Sequence, residues 1–232
     1  MSEIFSHRDR RWPIEKWAAP SYEDLQQFAA LVADSAGEEA FQLFFERMPS
    51  ILAGAVNFAG DDSLMGMISK PQVGESFADF AVFVVTQGGA YLTLVEIEKP
   101  HSALFTRDGK LGGDLRSADH QIATWKQYVR RNIKAFVVDK VEQLCSVPLY
   151  SEARSGSFRT RPEPDIRNAW RVYGGYDYEC VHYLAVCGRW SQLSDRDRKR
   201  FLSRSTDPDR PYDLRTYAQL ARDAFINLYM GV

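Results

Sequence analysis

Two apolar runs in the middle of the chain constrain the fold more than any other feature of the sequence. Residues 80–85 and 91–97 are rich in β-branched and aromatic side chains, and "TQGG" lies between them. Runs of this composition joined by a short linker containing glycine are typical of a β-hairpin. We therefore expect the chain to fold around a β-sheet, which the other segments extend or cover.

Apolar residues at helical spacing predict helices before and after this hairpin. The helices are expected at 22–34 after a Ser21 cap, in "GEEAFQLFFERMPSIL" with Phe41, Phe44 and Phe45 on one face, at about 115–131, after Ser194, and at about 213–229. Further strands are expected at 63–74 and within 178–189. Gly66 and Pro71 interrupt the first of these, which indicates an edge strand or a bulged one.

Two segments are harder to interpret from their pattern. "KAFVVDKVEQLC" suits either a strand or the start of a helix, and 151–168, with its serine, glycine and proline residues, is typical of a long surface loop. The order helix, strand, hairpin, helix, strand, helix, helix predicts an α/β domain in which helices flank a mixed sheet.

Composition excludes several classes of protein. The chain has 232 residues, 45% of them hydrophobic, which suffices for one domain with a sizeable core. Its longest apolar stretches are about ten residues, well short of the roughly 20 that span a bilayer, and "MSEIFSHRDRRWP" lacks the apolar segment of a signal peptide. A cytoplasmic protein that does not contact membranes is expected. The net charge of -2 means that any binding site for a polyanion is a local patch.

The three cysteines, Cys145, Cys180 and Cys187, are an odd number without CxxC spacing. This pattern argues against a disulfide framework or a zinc site. We interpret them as buried thiols.

Three acids interrupt the hairpin region. Glu96 and Glu98 are two residues apart in a predicted strand, so they point to the same face, and a regular hairpin register places Asp79 opposite residues 96–98. Three carboxylates form the oxygen ligand set that Mg²⁺ or Mn²⁺ prefers. The alternative is that Glu96 and Glu98 face solvent on a half-exposed strand beside Lys99 or an arginine.

Gln121 adds a polar group to the apolar face of the helix that follows, with Trp125 one turn later. An amide on such a face needs a buried partner, and a metal-bound water or a phosphate would supply one. The alternative is a local hydrogen bond near the start of the helix.

The runs "FADF", "VEIEKP" and "ADHQIATWKQY", in this order, resemble the PD-(D/E)XK nucleases, and among them the Shedu immune-nuclease family. "EEAFQLFFERMPSIL", "HYLAVCGRW" and "DLRTYAQLARDA" are similar to that family's leading helix, closing strand and terminal helix. The resemblance covers roughly residues 38–228. It implies a restriction-endonuclease-like domain over 38–232, preceded by an extension, 1–37, with one helix.

The resemblance also implies roles for individual residues. Asp79 corresponds to the family's first aspartate, with Ala78 in place of the usual proline, Glu96 to its metal-binding acid, and Gln121 to the glutamine that positions the phosphate or water. Asp79, Glu96 and Glu98 are thus expected to bind Mg²⁺ or Mn²⁺. The resemblance also suggests Glu39 of the leading helix as a supporting residue. Lys99, next to Glu98, and His120, next to Gln121, are further candidates because of their positions in the sequence.

Position 98 departs from the family's pattern, which has a lysine two residues after the metal-binding acid. Glu98 would instead act as a third metal ligand or as a general base. Lys99 lies on the opposite strand face and could replace the lysine only if a bulge rotated it inward.

Basic residues in local stretches are the candidates for contacts with nucleic acid. They are Arg130 and Arg131 after the Gln121 helix, Arg159 and Arg161 in the predicted loop, and "RDRKR" at 196–200, whose interspersed acids suit a solvated helix face better. His182 is interpreted as a core or edge histidine.

The function implied by the resemblance is a Mg²⁺-dependent DNA endonuclease in antiphage defence, acting as a homo-oligomer or with a separate partner. Two alternatives remain at this point. One is a catalytically impaired nuclease-fold module that binds or senses nucleic acid, and the other is a structural interaction protein whose acids lie on the surface.

Overall fold

The computed structural model describes residues 20–34, 36–56, 64–86, 89–144, 149–152, 158–161, 180–205 and 212–225. Its helices are α1 (Tyr22–Ala33), α2 (Glu38–Arg47), α3 (Pro49–Val56), α4 (Gly113–Leu144), α5 (Asp195–Ser205) and α6 (Tyr217–Phe225). Its strands are β1 (Leu64–Ser69), β2 (Gln72–Val73), β3 (Ser76–Phe77), β4 (Phe80–Thr86), β5 (Gly89–Ile97), β6 (Leu149–Glu152), β7 (Phe158–Arg161), β8 (Val181–Val186) and β9 (Asp213–Arg215).

One mixed sheet organises the domain, in the order β7-β6-β1-β4-β5-β8-β9. The five strands β1, β4, β5, β8 and β9 form its central part, and β6 and β7 extend it past β1. The pairs β5/β8 and β8/β9 are parallel, whereas the other neighbours are antiparallel. Strands β2 and β3 form a separate small hairpin. The predicted α/β domain with a mixed sheet is confirmed.

The predicted hairpin of β4 and β5 lies at the centre of the sheet. Its register runs from Phe80 opposite Val95 to Thr86 opposite Gly89. From Leu92 to Ile97 every residue of β5 is buried, so both faces of this strand are covered.

Helices α2 and α4 cover opposite faces of the sheet. The rings of Phe45 in α2 and Phe80 in β4 are 6.0 Å apart, and Phe80 shares its face with its partner Val95. Glu96 points to the other face, where Gln121 of α4 contacts it. Each face of β5 is therefore tied to one helix.

An aromatic cluster joins the first helix to the rest of the core. Phe28 in α1 packs against Phe41, Phe44 and Phe45, and the ring of Tyr217 in α6 lies 4.4 Å from that of Phe41. Ser21 caps α1 as predicted and forms a reciprocal capping box with Asp24. Helix α1 thus packs into the same core as α2 and α6.

Strand β1 is neither the edge strand nor the bulged strand that its sequence predicts. It pairs with β4 over its whole length and with β6 at Leu64 and Met65. The prediction is wrong because Pro71 lies beyond the end of the strand, where it removes no ladder hydrogen bond.

The segment 151–168 is likewise not a continuous loop, because residues 149–152 and 158–161 pair as β6 and β7. "KAFVVDKVEQLC" is helical: α4 continues past Asn132, where φ of -128° and ψ of 21° mark a kink, and buries Phe136, Val137 and Val141. Residues 213–215 form β9, so the last helix starts at Tyr217 rather than at 213.

Two further sequence predictions concern cysteines and membranes. Cys180 and Cys187 are buried free thiols, as predicted, while Cys145 lies outside the described residues. No helix in the described ranges is both long enough and apolar enough to cross a bilayer.

Candidate functional site

The candidate site lies at one end of the central strands of the sheet, where β1 and β5 end and β4 begins. The Asp79 N–H donates to the carbonyl of Val95 at 3.0 Å, and the Ile97 N–H donates to the Asp79 carboxylate at 2.7 Å. The predicted position of Asp79 opposite residues 96–98 is confirmed. Glu96 is 8% exposed and therefore does not face solvent as in the alternative interpretation, whereas Glu98 is half-buried. Asp79 is 4% exposed.

Lys70, which the sequence analysis did not single out, holds Asp79 from the other side. Its ammonium group forms an ion pair with Asp79 Oδ1, and its backbone N–H donates to the Asp79 carbonyl at 2.8 Å. The residue has φ of +48°, and no other non-glycine residue in the described ranges has a positive φ. The chain turns sharply there, immediately after β1.

Gln121 connects α4 to the acids. Its Nε2 donates to Glu96 Oε2 and to the carbonyl of Phe77, both at 3.1 Å. The glutamine therefore bonds across the fold instead of within its own helix, and it holds one oxygen of Glu96 in place. Trp125, one turn later, is fully buried and donates to Ser76 Oγ at 2.9 Å, which docks the β2/β3 hairpin on the same helix.

Burial raises the pKa values of the acids, and neighbouring acids add to this effect at Glu38, Glu96 and Glu98. Burial raises the pKa of Glu96 to about 9, and the neighbouring charges of Asp79, Glu98 and Glu38 add to this effect. Burial also raises the pKa of Glu98 to about 7, with repulsion from Asp114 and Glu38. Burial raises the pKa of Asp79, while Lys70 and the Ile97 N–H act to lower it. Such a cluster is costly to ionise without a further cation.

Helix α2 contributes Glu38 to this cluster instead of the predicted Glu39. Glu39 is exposed, whereas Glu38 is half-buried, and burial together with the charge of Asp79 raises its pKa. The two neighbours point in directions about 100° apart around the helix, so only one of them faces the site. Sequence reasoning chose the wrong member of the pair.

Buried polar groups of α2 support the end of β1. Gln42 Nε2 donates to Ser69 Oγ at 2.9 Å and lies 3.5 Å from the Asp79 carbonyl. Ser69 Oγ in turn donates to Glu46 Oε1 at 2.6 Å. On the other side of the site, the Tyr217 hydroxyl donates to the Glu98 carbonyl at 2.6 Å. These bonds fix the backbone on both sides of the acids.

The remaining predicted supporting residues lie at the margin. Lys99 is exposed. Its positive charge opposes, but does not cancel, the effect of burial that raises the pKa values of Glu98 and Glu38. His120 is exposed, one position along α4 from Gln121. Among the described contacts no side-chain hydrogen bond or ion pair joins His120 to the acids.

The predicted basic residues are separated in the structure. Arg130 and Arg131 are exposed on α4 just before its kink. Arg159 and Arg161 belong to β7, and their side chains lie outside what the structure describes. In "RDRKR", Arg198 and Arg200 form ion pairs with Asp195 and Asp197 along α5, which suits the solvated helix face that the sequence favoured.

The donor chemistry suits a divalent metal ion, although the side chains do not form a ready metal site. In the described part of the chain no three His, Cys, Asp or Glu side chains converge to hold an ion. Burial raises the pKa values of Asp79 and Glu96, and buried carboxylates of this kind are nevertheless the hard oxygen donors that Mg²⁺ and Mn²⁺ prefer. Asp79 and Glu96 have the chemistry to hold such an ion. In the structure the positive charge beside Asp79 is the ammonium group of Lys70.

Comparison with protein families adds an independent finding. A family model described as Shedu protein SduA, C-terminal, matches residues 35–221, which include every residue of the site. A search of curated proteins found no match.

Proposed function

Because the chain belongs to the family of Shedu SduA C-terminal domains, nuclease domains of the PD-(D/E)XK type from antiphage systems, we propose that it is a metal-dependent endonuclease that hydrolyses DNA phosphodiester bonds. The observation that supports the proposal best is the buried pair Asp79 and Glu96, bridged to α4 by Gln121. Acids buried at this cost are typical of sites that bind cations.

In the proposed reaction a water oxygen forms a bond to phosphorus and one P–O ester bond breaks. The water gives up a proton, and the leaving oxygen gains one and becomes a hydroxyl. Asp79 and Glu96 would hold the metal ion, which when bound neutralises charge on the phosphate and lowers the pKa of water. Gln121 keeps the Glu96 carboxylate oriented.

The sequence leaves two roles open for Glu98, a third metal ligand or a general base. It is half-buried beside Glu96, and burial raises its pKa to about 7. A carboxylate with a pKa near the working pH is suited to accept the proton of the attacking water. We favour this role over that of a third ligand.

Contacts with the DNA backbone are proposed for Arg130 and Arg131, with Arg159 and Arg161 as further candidates. The two α4 arginines are exposed and lie on the same helix as Gln121, nine and ten positions further along. Such contacts bind phosphate without reading sequence and weaken as salt rises. A homo-oligomer or a separate partner would restrain cleavage of the host's own DNA.

One observation favours a second candidate function. Position 98 carries an acid where the family's pattern has a lysine. A nuclease fold without that lysine would bind nucleic acid without cutting it. In that case nucleic-acid binding survives both Asp79→Ala and Glu96→Ala, and no metal ion supports cleavage.

The test is calorimetric titration of Mg²⁺ and Mn²⁺ into the purified protein, together with cleavage of plasmid and single-stranded DNA. The matched variants are Glu96→Ala and Glu39→Ala, because Glu39 is an exposed acid outside the cluster. The proposal expects Glu96→Ala to abolish both metal binding and cleavage and Glu39→Ala to change neither. Absence of metal-supported cleavage by the wild-type protein contradicts it.

A further inference from the structure

Lys70 is held in the site by both its backbone and its side chain. The backbone N–H donates to the Asp79 carbonyl at 2.8 Å, and the ammonium group is paired with the carboxylate of the same residue. The left-handed φ of +48° costs an L-residue about 1 kcal/mol that a glycine would avoid. A glycine would form this turn at lower cost, so the lysine is explained by what its ammonium group contributes to the site.

The side chain is also accessible to a substrate. It is 26% exposed, whereas that of Asp79 is 5% exposed. A lysine whose backbone is fixed at a buried acid and whose ammonium group is partly open to solvent is positioned to contact an anion that binds there. The exposed Lys99 lacks this anchoring, and its charge acts on Glu38 and Glu98 rather than on Asp79 or Glu96.

The charge balance of the site calls for such a cation. Glu38, Asp79, Glu96 and Glu98 all interact, and hydrolysis brings a phosphate with growing negative charge to them. A metal ion held by two carboxylates is neutralised by them, so the phosphate needs a further positive group. Among the described residues, Lys70 is the one whose ammonium contacts an acid of the cluster.

We propose that Lys70, immediately after β1, is a catalytic residue whose ammonium group binds the scissile phosphate and stabilises its negative charge. It would thus supply the positive charge that position 98, with its glutamate, does not. This inference rests on the proposed nuclease function. Without metal, the ammonium group neutralises Asp79. With Asp79 holding a metal ion, the ammonium group would instead contact the phosphate, while the Lys70 backbone stays bonded to the Asp79 carbonyl.

The test compares Lys70→Met with Lys70→Arg and with Lys110→Met as the matched control, because Lys110 is an exposed lysine outside the acidic cluster. Without DNA, calorimetry with Mn²⁺ is expected to show tighter binding by Lys70→Met, by about tenfold, because no ammonium group competes for Asp79. In single-turnover cleavage at saturating metal, Lys70→Met is expected to lower the maximal rate about 100-fold or more, the size typical of losing one charge-stabilising group. The DNA concentration at half-maximal rate stays within about threefold, and Lys70→Arg restores part of the rate.

Lys110→Met is expected to match the wild type in both measurements. Weaker Mn²⁺ binding by Lys70→Met would mean that Lys70 only shapes the site, and unchanged cleavage would mean that it does not act on the phosphate. Either result overturns the inference while leaving the nuclease proposal intact. Absence of cleavage by the wild-type protein overturns the nuclease proposal, and the catalytic role of Lys70 with it.

Discussion

Gln121 Nε2 in α4 lies 3.1 Å from Glu96 Oε2 in β5 and donates a hydrogen bond to it. The same Nε2 donates to the carbonyl of Phe77, two residues before Asp79. One amide thus links the helix to Glu96 and to the backbone just before Asp79. A group that orients a metal-binding carboxylate in this way tunes affinity without being a ligand itself.

Gln121→Ala is therefore expected to weaken Mg²⁺ binding about 10-fold to 100-fold, since Glu96 loses the donor that fixes its rotamer. Calorimetry measures the affinity, and circular dichroism checks that the fold is kept. His120→Ala is the control, because His120 is exposed on the adjacent position of the helix. Equal losses in the two variants would mean that α4 acts on the site only through its general position.

Metal binding should release a proton. Burial and neighbouring acids raise the pKa of Glu96 to about 9, so this carboxyl is protonated at pH 7 and must ionise to bind a cation. Titration of Mn²⁺ in two buffers with different ionisation enthalpies is expected to show release of about one proton at pH 7. The apparent affinity is expected to rise with pH up to about 9, and an affinity that is flat between pH 6 and 8 would contradict the raised pKa.

The same pKa has a consequence for the stability of the metal-free protein. Between the ordinary pKa of 4.5 and the raised pKa of about 9, the folded state binds more protons at Glu96 than the unfolded state does. Stability is therefore highest below about pH 4.5, as far as this group is concerned, and is lost as pH rises toward 9. Thermal unfolding in a chelator is expected to show a falling Tm from pH 6 to 8.5, and Glu96→Gln should reduce that fall.

Much of the site was predictable because a β-hairpin has a fixed period. Once "TQGG" marks the turn, counting residues along the two strands places Asp79 against 96–98, and the structure has this register. The need of Gln121 for a buried partner was predictable, since an amide on an apolar helical face needs one. The partner itself was not, because the sequence favoured a metal-bound water or a phosphate and the structure has Glu96.

Lys70 was not predictable in this way. It lies outside both strands of the hairpin, beside Pro71, and its ion pair depends on how β1 ends against β4. Glu38 was missed because "EE" at the start of α2 offers two equivalent acids, and only the rotation of the helix decides which one faces the site. The strands β6 and β7 were missed because composition typical of a turn in 153–157 was extended to both flanking segments.

Two adjacent glycines at the start of α4 provide a last prediction, about the loop between Glu98 and this helix. A Cβ on Gly112 would lie 1.6 Å from the Ala103 carbonyl oxygen, whereas one on Gly113 would have nothing within 4 Å. The Gly112 N–H also donates to the Leu104 carbonyl at 2.9 Å, so the backbone has little room to move away.

Gly112→Ala is expected to lower the free energy of unfolding by about 2–3 kcal/mol, as overpacking against backbone does, and Tm by about 4–12 °C. Gly113→Ala is expected to be neutral or slightly stabilising, because alanine suits a helix and restricts the unfolded chain. Denaturant unfolding of both variants measures the difference. Because the clash lies in the loop that leads from Glu98 to the helix carrying Gln121, Gly112→Ala should also reduce metal affinity. A Gly112→Ala variant as stable as Gly113→Ala would show that this loop yields easily and does not fix the position of α4.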